Sequence, residues 1–223
     1  MARVSTHPNN EMKPLKIGCT TTDCDRGLHC FRKTKKLVKA GLAGRCRACG
    51  ADLVDWSRLK ARDLADARYT FSALKREFIR HHFWHVAIDE AAVDRARRKG
   101  LLGLWQYAQS RIARHVAPAS NAFDGRQTPW SGNVVYYAQH ATAACCRKCV
   151  EEWHGIPQGR QMKPEEISYL VDLVIMYIKD RLPDLPEGNR EDPTSPQEAL
   201  QRQHRRARSR TTAAAHVRDS AGQ

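Results

Sequence analysis

A mainly α protein, in which a helical domain is preceded by a small four-cysteine module of the zinc-ribbon or knuckle type, is predicted by three features of this sequence. Five cysteines crowd into a short polar segment near the amino end, apolar residues recur at spacings of three and four beyond residue 70, and glycines punctuate the cysteine segment so that only short β or turn elements fit there. The 223 residues leave room for a small module and one further domain.

Taken in order, residues 1–16 carry no periodic pattern and are predicted to be disordered. Residues 17–56 form the cysteine module. Gly27, Gly41, Gly44 and Gly50 mark its turns, and the basic run Arg32-Lys33-Thr34-Lys35-Lys36 lies between its cysteine pairs. Metal is what holds so small and polar a segment in shape. Residues 57–182 read as the helical domain. Thr70 is the expected N-cap of a helix carrying Phe71, Leu74 and Phe78, with His85 further along the same face. Asp89 caps the next helix, a basic segment that Gly100 and Gly103 interrupt and that resumes to Pro118; a loop with the turn dipeptide Asp124-Gly125 follows. Val134 to His154 reads mainly as one helix, although Val134 to Tyr137 would also suit a short strand. Pro164, followed by Glu165 and Glu166, opens the last helix, with Ile167, Leu170, Val171, Val174, Ile175 and Ile178 as its core stripe. Residues 183–223, with prolines at 183, 186, 193 and 196 and an arginine-rich end, read as a disordered basic tail.

The formal charge of +14 predicts a positive surface field suited to polyanions. No apolar run approaches the roughly 20 residues of a membrane span, and Met1 to Lys16 lacks the apolar core of a secretory signal. The expected compartment is the cytoplasm, without a membrane partner, where thiols stay reduced.

The strongest chemical signal is Cys24-x5-Cys30 followed by Cys46-x2-Cys49-Gly50. A Cys-x2-Cys-Gly turn aims backbone amides at the sulfurs, and four thiolates close a tetrahedral zinc site. Cys19 is the alternate to Cys24. Such a closed site is scaffold and leaves no coordination position for a substrate.

A second zinc or functional cluster is expected from His140, Cys145, Cys146, Cys149 and His154. On one helix Cys145 and Cys149 share a face, and Cys146 and Cys149 make an x2 pair that either histidine would complete. Buried thiols acting as small hydrophobes give the same pattern. Glu77, His81 and His85, spaced four apart, form a third set, for which amphipathic packing explains the spacing better than metal does. The segment from His154 to Arg160 compares loosely with a helix-hairpin-helix turn offering amides to phosphate; a helix-ending glycine turn is the simpler reading. Arg32, Lys33, Lys35, Lys36, Arg147, Lys148 and Arg160 are the expected phosphate contacts. Gly-x-Ser-x-Gly, Gly-x4-Gly-Lys-Ser/Thr, Gly-x-Gly-x2-Gly and His-Glu-x2-His strings do not occur.

The strings Asp124-Gly125-Arg126-Gln127-Thr128-Pro129, Tyr137-Ala138-Gln139-His140-Ala141-Thr142-Ala143, Cys145-Cys146-Arg147, Cys149 and Trp153-His154-Gly155-Ile156 resemble the bacterial domain of unknown function 4186 family. The likeness runs from about Leu74 to Leu182. It implies a helical domain built around the cysteine helix, with the cysteine module as an extension outside it, and it implies no reaction.

The leading expectation is a zinc-binding, nucleic-acid-associated protein. A metal-dependent hydrolase or nuclease working at the second cluster, with Glu77 or a histidine as base, is the alternative. A protein-interaction adaptor whose tail folds on a partner is a further one.

Overall fold

The computed structural model describes residues 17–121 and 125–188. The expected disorder of residues 1–16, most of the basic tail, and Asp124 of the turn dipeptide lie outside these. Among the described residues eight α-helices follow one another: α1 (Lys35–Lys39), α2 (Trp56–Lys60), α3 (Ala67–Leu74), α4 (Phe78–His85), α5 (Glu90–His115), α6 (Val134–Ala141), α7 (Arg147–His154) and α8 (Pro164–Arg181). The β structure among the described residues is two isolated bridges, Asp23 with Leu28 and His29 with Glu77. The chain is therefore mainly α with a cysteine- and histidine-rich segment ahead of the helical domain, as predicted. No helix among the described residues is long and apolar enough to cross a membrane.

The main core is a helical layer in which α8 packs against α5 and α6, and α4 packs on α6. Leu170, Val171, Val174 and Ile178 of α8 meet Leu104, Ala108 and Ile112 of α5 and Val135 and Ala138 of α6. Pro164 starts α8 as predicted, because a first-turn residue has no intrahelical use for its missing N–H. Glu166 caps the same turn by accepting from the Lys163 amide at 2.9 Å. A second, smaller core joins the amino-terminal segment to the helices. Phe31, Leu59, Leu74 and Trp153 fill it together with Cys46, Cys145, Cys146 and Cys149, and Phe31 and Trp56 meet the Trp153 ring at 5.9 and 5.2 Å.

Two expected helices are broken. The helix expected from Thr70 to His85 starts earlier, at Ala67, and buries Thr70 in its middle. It then stops at the Lys75–Glu77 turn, where an extended segment docks: the His29 amide donates to Arg76 O (2.7 Å) and the Phe78 amide donates to His29 O (2.9 Å). The long helix expected from Val134 to His154 breaks at Thr142–Cys146, where Ala143 takes a left-handed φ of 56°. Periodicity alone does not reveal these breaks, since both halves keep the helical spacing. Val134 to Tyr137 is helical, capped by the Asn133 side chain.

Residues 183–188, expected within the disordered tail, fold back on α5. Leu185 is buried in the main core, and Pro186 O and Glu187 O accept the amides of Leu101 and Leu102 at 2.8 and 2.9 Å. Those amides are free because Gly100 (φ 65°, ψ 172°) breaks α5 in a region that other residues scarcely enter. A Cβ on Gly100 would lie 2.0 Å from Gly188 O, whereas on Gly103 it would meet only the flexible Lys99 side chain at 3.3 Å. Gly100→Ala should therefore cost about 2–4 kcal/mol in chemical denaturation. Gly103→Ala should be neutral or stabilising by under about 1 kcal/mol. Equal losses in the two variants would disprove this account of the break.

Candidate metal centres

Among the described residues two groups of side chains gather ligand atoms within 4.8 Å of one another: Cys24, His29, Cys46 and Cys49, and Cys145, Cys146 and Cys149. The first is built by two turns. The 3-10 turn Cys24–Arg26 ends in left-handed Gly27, and the Cys46-x2-Cys49 turn closes by Gly50 N–H donating to Cys46 O at 2.8 Å. Sulfurs at 2.3 Å from a tetrahedral zinc lie roughly 3.8 Å apart, and a sulfur and an imidazole nitrogen roughly 3.5 Å. Cys24 Sγ and Cys46 Sγ are 3.8 Å apart, and Cys49 Sγ and His29 Nδ1 are 3.5 Å apart. The donor set thus fits a closed tetrahedral ion. Burial opposes ionisation of Cys46, but backbone groups of Cys49, Cys30 and Ala48 and the His29 side chain bring it down to about 6. The group therefore contains a thiol of lowered pKa.

His29 takes the place expected for Cys30. Neighbouring side chains of an extended strand point to opposite sides, so the docking of His29 onto Arg76 and Phe78 turns Cys30 away from the group. Cys30 is fully buried and its thiol donates to Cys19 O at 3.3 Å. Cys19, the expected alternate ligand, does not join the first group either. Counting thiols concealed the histidine, although a Cys-x4-His pair ahead of Cys-x2-Cys is an acceptable zinc pattern.

The second group caps α7. Cys146 is its N-cap and Cys149 lies one turn in, so their sulfurs approach to 3.3 Å at the helix start instead of lining the face of one long helix. Cys145 sits in the break before it, its carbonyl accepting from Thr128 Oγ1 at 2.8 Å. Arg80, 2% exposed, reaches in from α4. Its Nη2 donates to Cys149 Sγ (3.0 Å), Nη1 to His140 O (2.6 Å) and to Cys145 Sγ (3.6 Å), and Nε to Glu77 (3.0 Å). Hydrogen bonds from Cys145 and Cys146, then the Arg80 guanidinium, hold the Cys149 thiol well below its ordinary range against the effect of burial. Burial pushes Glu77 up, although Arg80 and the Trp153 indole N–H (3.0 Å) both bond its carboxylate.

The histidines expected at this group are engaged elsewhere. His154 is fully buried, with Nε2 at 2.9 Å from Thr142 O and Nδ1 at 3.3 Å from Tyr169 Oη. His140 places Nε2 at 3.1 Å from Pro129 O and stacks on Phe83 at 4.5 Å. Desolvation lowers each to about 4. Glu77 is likewise separated from His81 and His85, which stack on each other at 3.9 Å. The break before α4 puts Glu77 at its N-cap, facing the interior.

Two expected phosphate contacts are structural. Arg147 is buried, with Nη2 donating to Pro157 O and to Arg160 O. Arg160 forks onto Glu166 at 2.6 and 2.8 Å and holds that carboxylate down to about 2. Left-handed Gly155 ends α7 with its amide on Glu151 O, which is the helix-ending turn and not a phosphate cradle. Arg32 is half-buried, in the field of Cys149, Cys19, Glu152 and Cys146. Lys33, Lys35, Lys36 and Lys148 are exposed.

The fold and its two thiol groups define a helical protein with two places where Cys and His side chains could hold metal ions. Residues 68–179 match the domain of unknown function 4186 (DUF4186), half of the chain, and the protein belongs to that family. The match starts a few residues before, and ends a few before, the range read from the motifs. The second thiol group lies inside the family domain and the first lies ahead of it. No solved structure matches the chain.

Arg80→Met leaves Glu77 buried without its cation and should destabilise the protein by about 3–5 kcal/mol in urea unfolding. Adding Glu77→Leu should recover part of that loss; a double variant weaker than the single one by the full cost of Glu77 would contradict the pairing. For His140 and His154, carbon-detected NMR titration should find pKa values near 4. The unfolded chain then takes up protons first below about 6.5, so both histidines reduce stability as pH falls from there toward 4. Titration of either ring near its unfolded value would refute its burial as the neutral form.

Proposed function

We propose that this is a zinc-binding, nucleic-acid-associated protein whose Cys24–His29–Cys46–Cys49 centre is structural. The donor set of three sulfurs and one imidazole suits zinc, and four protein ligands leave no position for substrate. The centre shapes the segment that carries the basic run and fixes it to the helices through the second core.

The observation that carries the reading is the charge of that segment. From Arg26 to Ala51 there are eight lysines and arginines and no carboxylate. Lys33, Lys35, Lys36, Lys39 and Arg47 are exposed, and none of them forms an ion pair with a described residue. Thr34 caps α1 by accepting from Leu37 N–H, so the lysines stand on an ordered turn of helix. Unneutralised cations on a rigid support favour a polyanion, because phosphate contact releases its counterions. The hydrolytic reading has no comparable support, since neither histidine joins the thiol group: His154 spends both nitrogens on Thr142 O and Tyr169 Oη, and His140 holds Pro129 O through Nε2.

Fluorescence anisotropy with single-stranded and duplex oligonucleotides across salt tests the proposal. Affinity should fall linearly with log salt. Lys33→Glu, Lys35→Glu and Lys36→Glu combined should weaken binding by about tenfold or more at low salt. No binding at about 50 mM salt, where the electrostatic contribution is near its largest, would end this reading.

A further inference from the structure

The three sulfurs of Cys145, Cys146 and Cys149 leave a tetrahedral ion one ligand short. The two nearby imidazoles and the Glu77 carboxylate stand outside this group and bond elsewhere, so a fourth protein donor has to come from another segment. The geometry points to Cys19 as the fourth ligand of a second zinc centre with Cys145, Cys146 and Cys149, a centre in which the metal clamps the amino-terminal segment to the family domain. This rests on the reading that the thiol groups bind zinc.

Several observations place Cys19 there. Its carbonyl is held by the buried Cys30 thiol at 3.3 Å, and Cys30 follows the residue that docks on Arg76 and Phe78, on either side of Glu77. Glu77 and Arg80 are hydrogen-bonded to each other, and Arg80 touches Cys149 and Cys145. The Cys19 thiol feels, after burial, the charges of Cys149, Arg80, Arg32 and Glu77. Ile17, two residues away, packs on the main core and anchors the segment.

Cys19 stands outside the 4.8 Å group, and ligation asks its side chain to swing inward. One staggered χ1 step carries Sγ through roughly 3 Å. The Gly18–Thr21 turn that carries it has freedom to adjust, because its bonds, Thr21 N–H to Gly18 O and Gly18 N–H to Thr21 Oγ1, are local. Charge also fits. A zinc ion with four thiolates is a dianion, which a buried site tolerates only beside cations. Arg80 bonds two of the sulfurs, and Arg32 lies in the field of Cys149, Cys19 and Cys146. Cys30, the neighbouring buried thiol, is the competing donor that a Cys30→Ala variant distinguishes.

The test is metal content of the full chain after dialysis against a chelator, followed by cobalt substitution, for wild type and the variants Cys19→Ala, Cys19→His and Cys30→Ala, with circular dichroism to confirm folding. Wild type and Cys30→Ala should hold two ions per chain, and Cys19→Ala one. Cys19→His should keep two ions while its sulfur-to-cobalt charge-transfer absorbance drops by about one part in seven, one thiolate of the seven in the two centres. A Cys19→Ala protein that keeps two ions with undiminished charge-transfer intensity overturns the assignment of Cys19 alone. A wild-type protein with fewer than two ions overturns the reading of the second thiol group as a zinc centre, and with it this inference.

Discussion

A guanidinium left only 2% exposed organises this molecule. Arg80 projects from α4 into the place where α6, the α6–α7 break and α7 converge, and distributes its N–H groups over Glu77, His140 O, Cys145 and Cys149. A charge at that depth costs several kcal/mol unless its hydrogen bonds are made, so the surrounding backbone is constrained to supply them. The break between α6 and α7 turns a carbonyl and two sulfurs toward one point, which a continuous helix would not do. On the other side, Glu77 is the residue at which the amino-terminal segment pairs with the helices through the His29 bridge. Both thiol groups are therefore positioned from one electrostatic node.

The second core extends that coupling. Phe31 comes from the cysteine segment, Leu59 from α2, Leu74 from α3 and Trp153 from α7, and the Glu77 carboxylate fixes the Trp153 indole. The segment ahead of the family domain thus shares an apolar interior with it and is not a separately folded appendage. Cys46 belongs to the first metal group and to this core at once. An ion held by the first group would therefore bear on the same contacts as the packing.

Helical class, the last helix with its proline start, the Asp89 cap and the Cys-x2-Cys-Gly turn were all legible in the sequence because each depends on local chemistry. The residues that were misread depend on partners far along the chain. Thr70 caps nothing because Ala67 already starts the helix, and Glu77 leaves the histidine face because a segment nearly 50 residues earlier docks beside it. His29 displaces Cys30 for the same reason: only the docking decides which of two neighbours points at the sulfurs. His140 and His154 sit beside cysteines in sequence, yet the helix break directs them to carbonyls. Arg147 and Arg160 looked like phosphate ligands because their acceptors, Pro157 O and Glu166, become neighbours only in the folded turn. Leu185 was hidden by the prolines on either side, which suit a docked irregular segment as well as a tail.

The packing of Trp56 against Trp153, tilted with ring centroids 5.2 Å apart, in an interior shared with Cys46, Cys146 and Cys149 has an optical consequence. Thiolates and carboxylates next to an excited indole drain its emission, and coordination of those sulfurs withdraws the electrons responsible. Trp56 and Trp153 are two of the chain's five tryptophans, so an ion held by those sulfurs would raise the share of the ultraviolet emission that comes from the junction of the two segments.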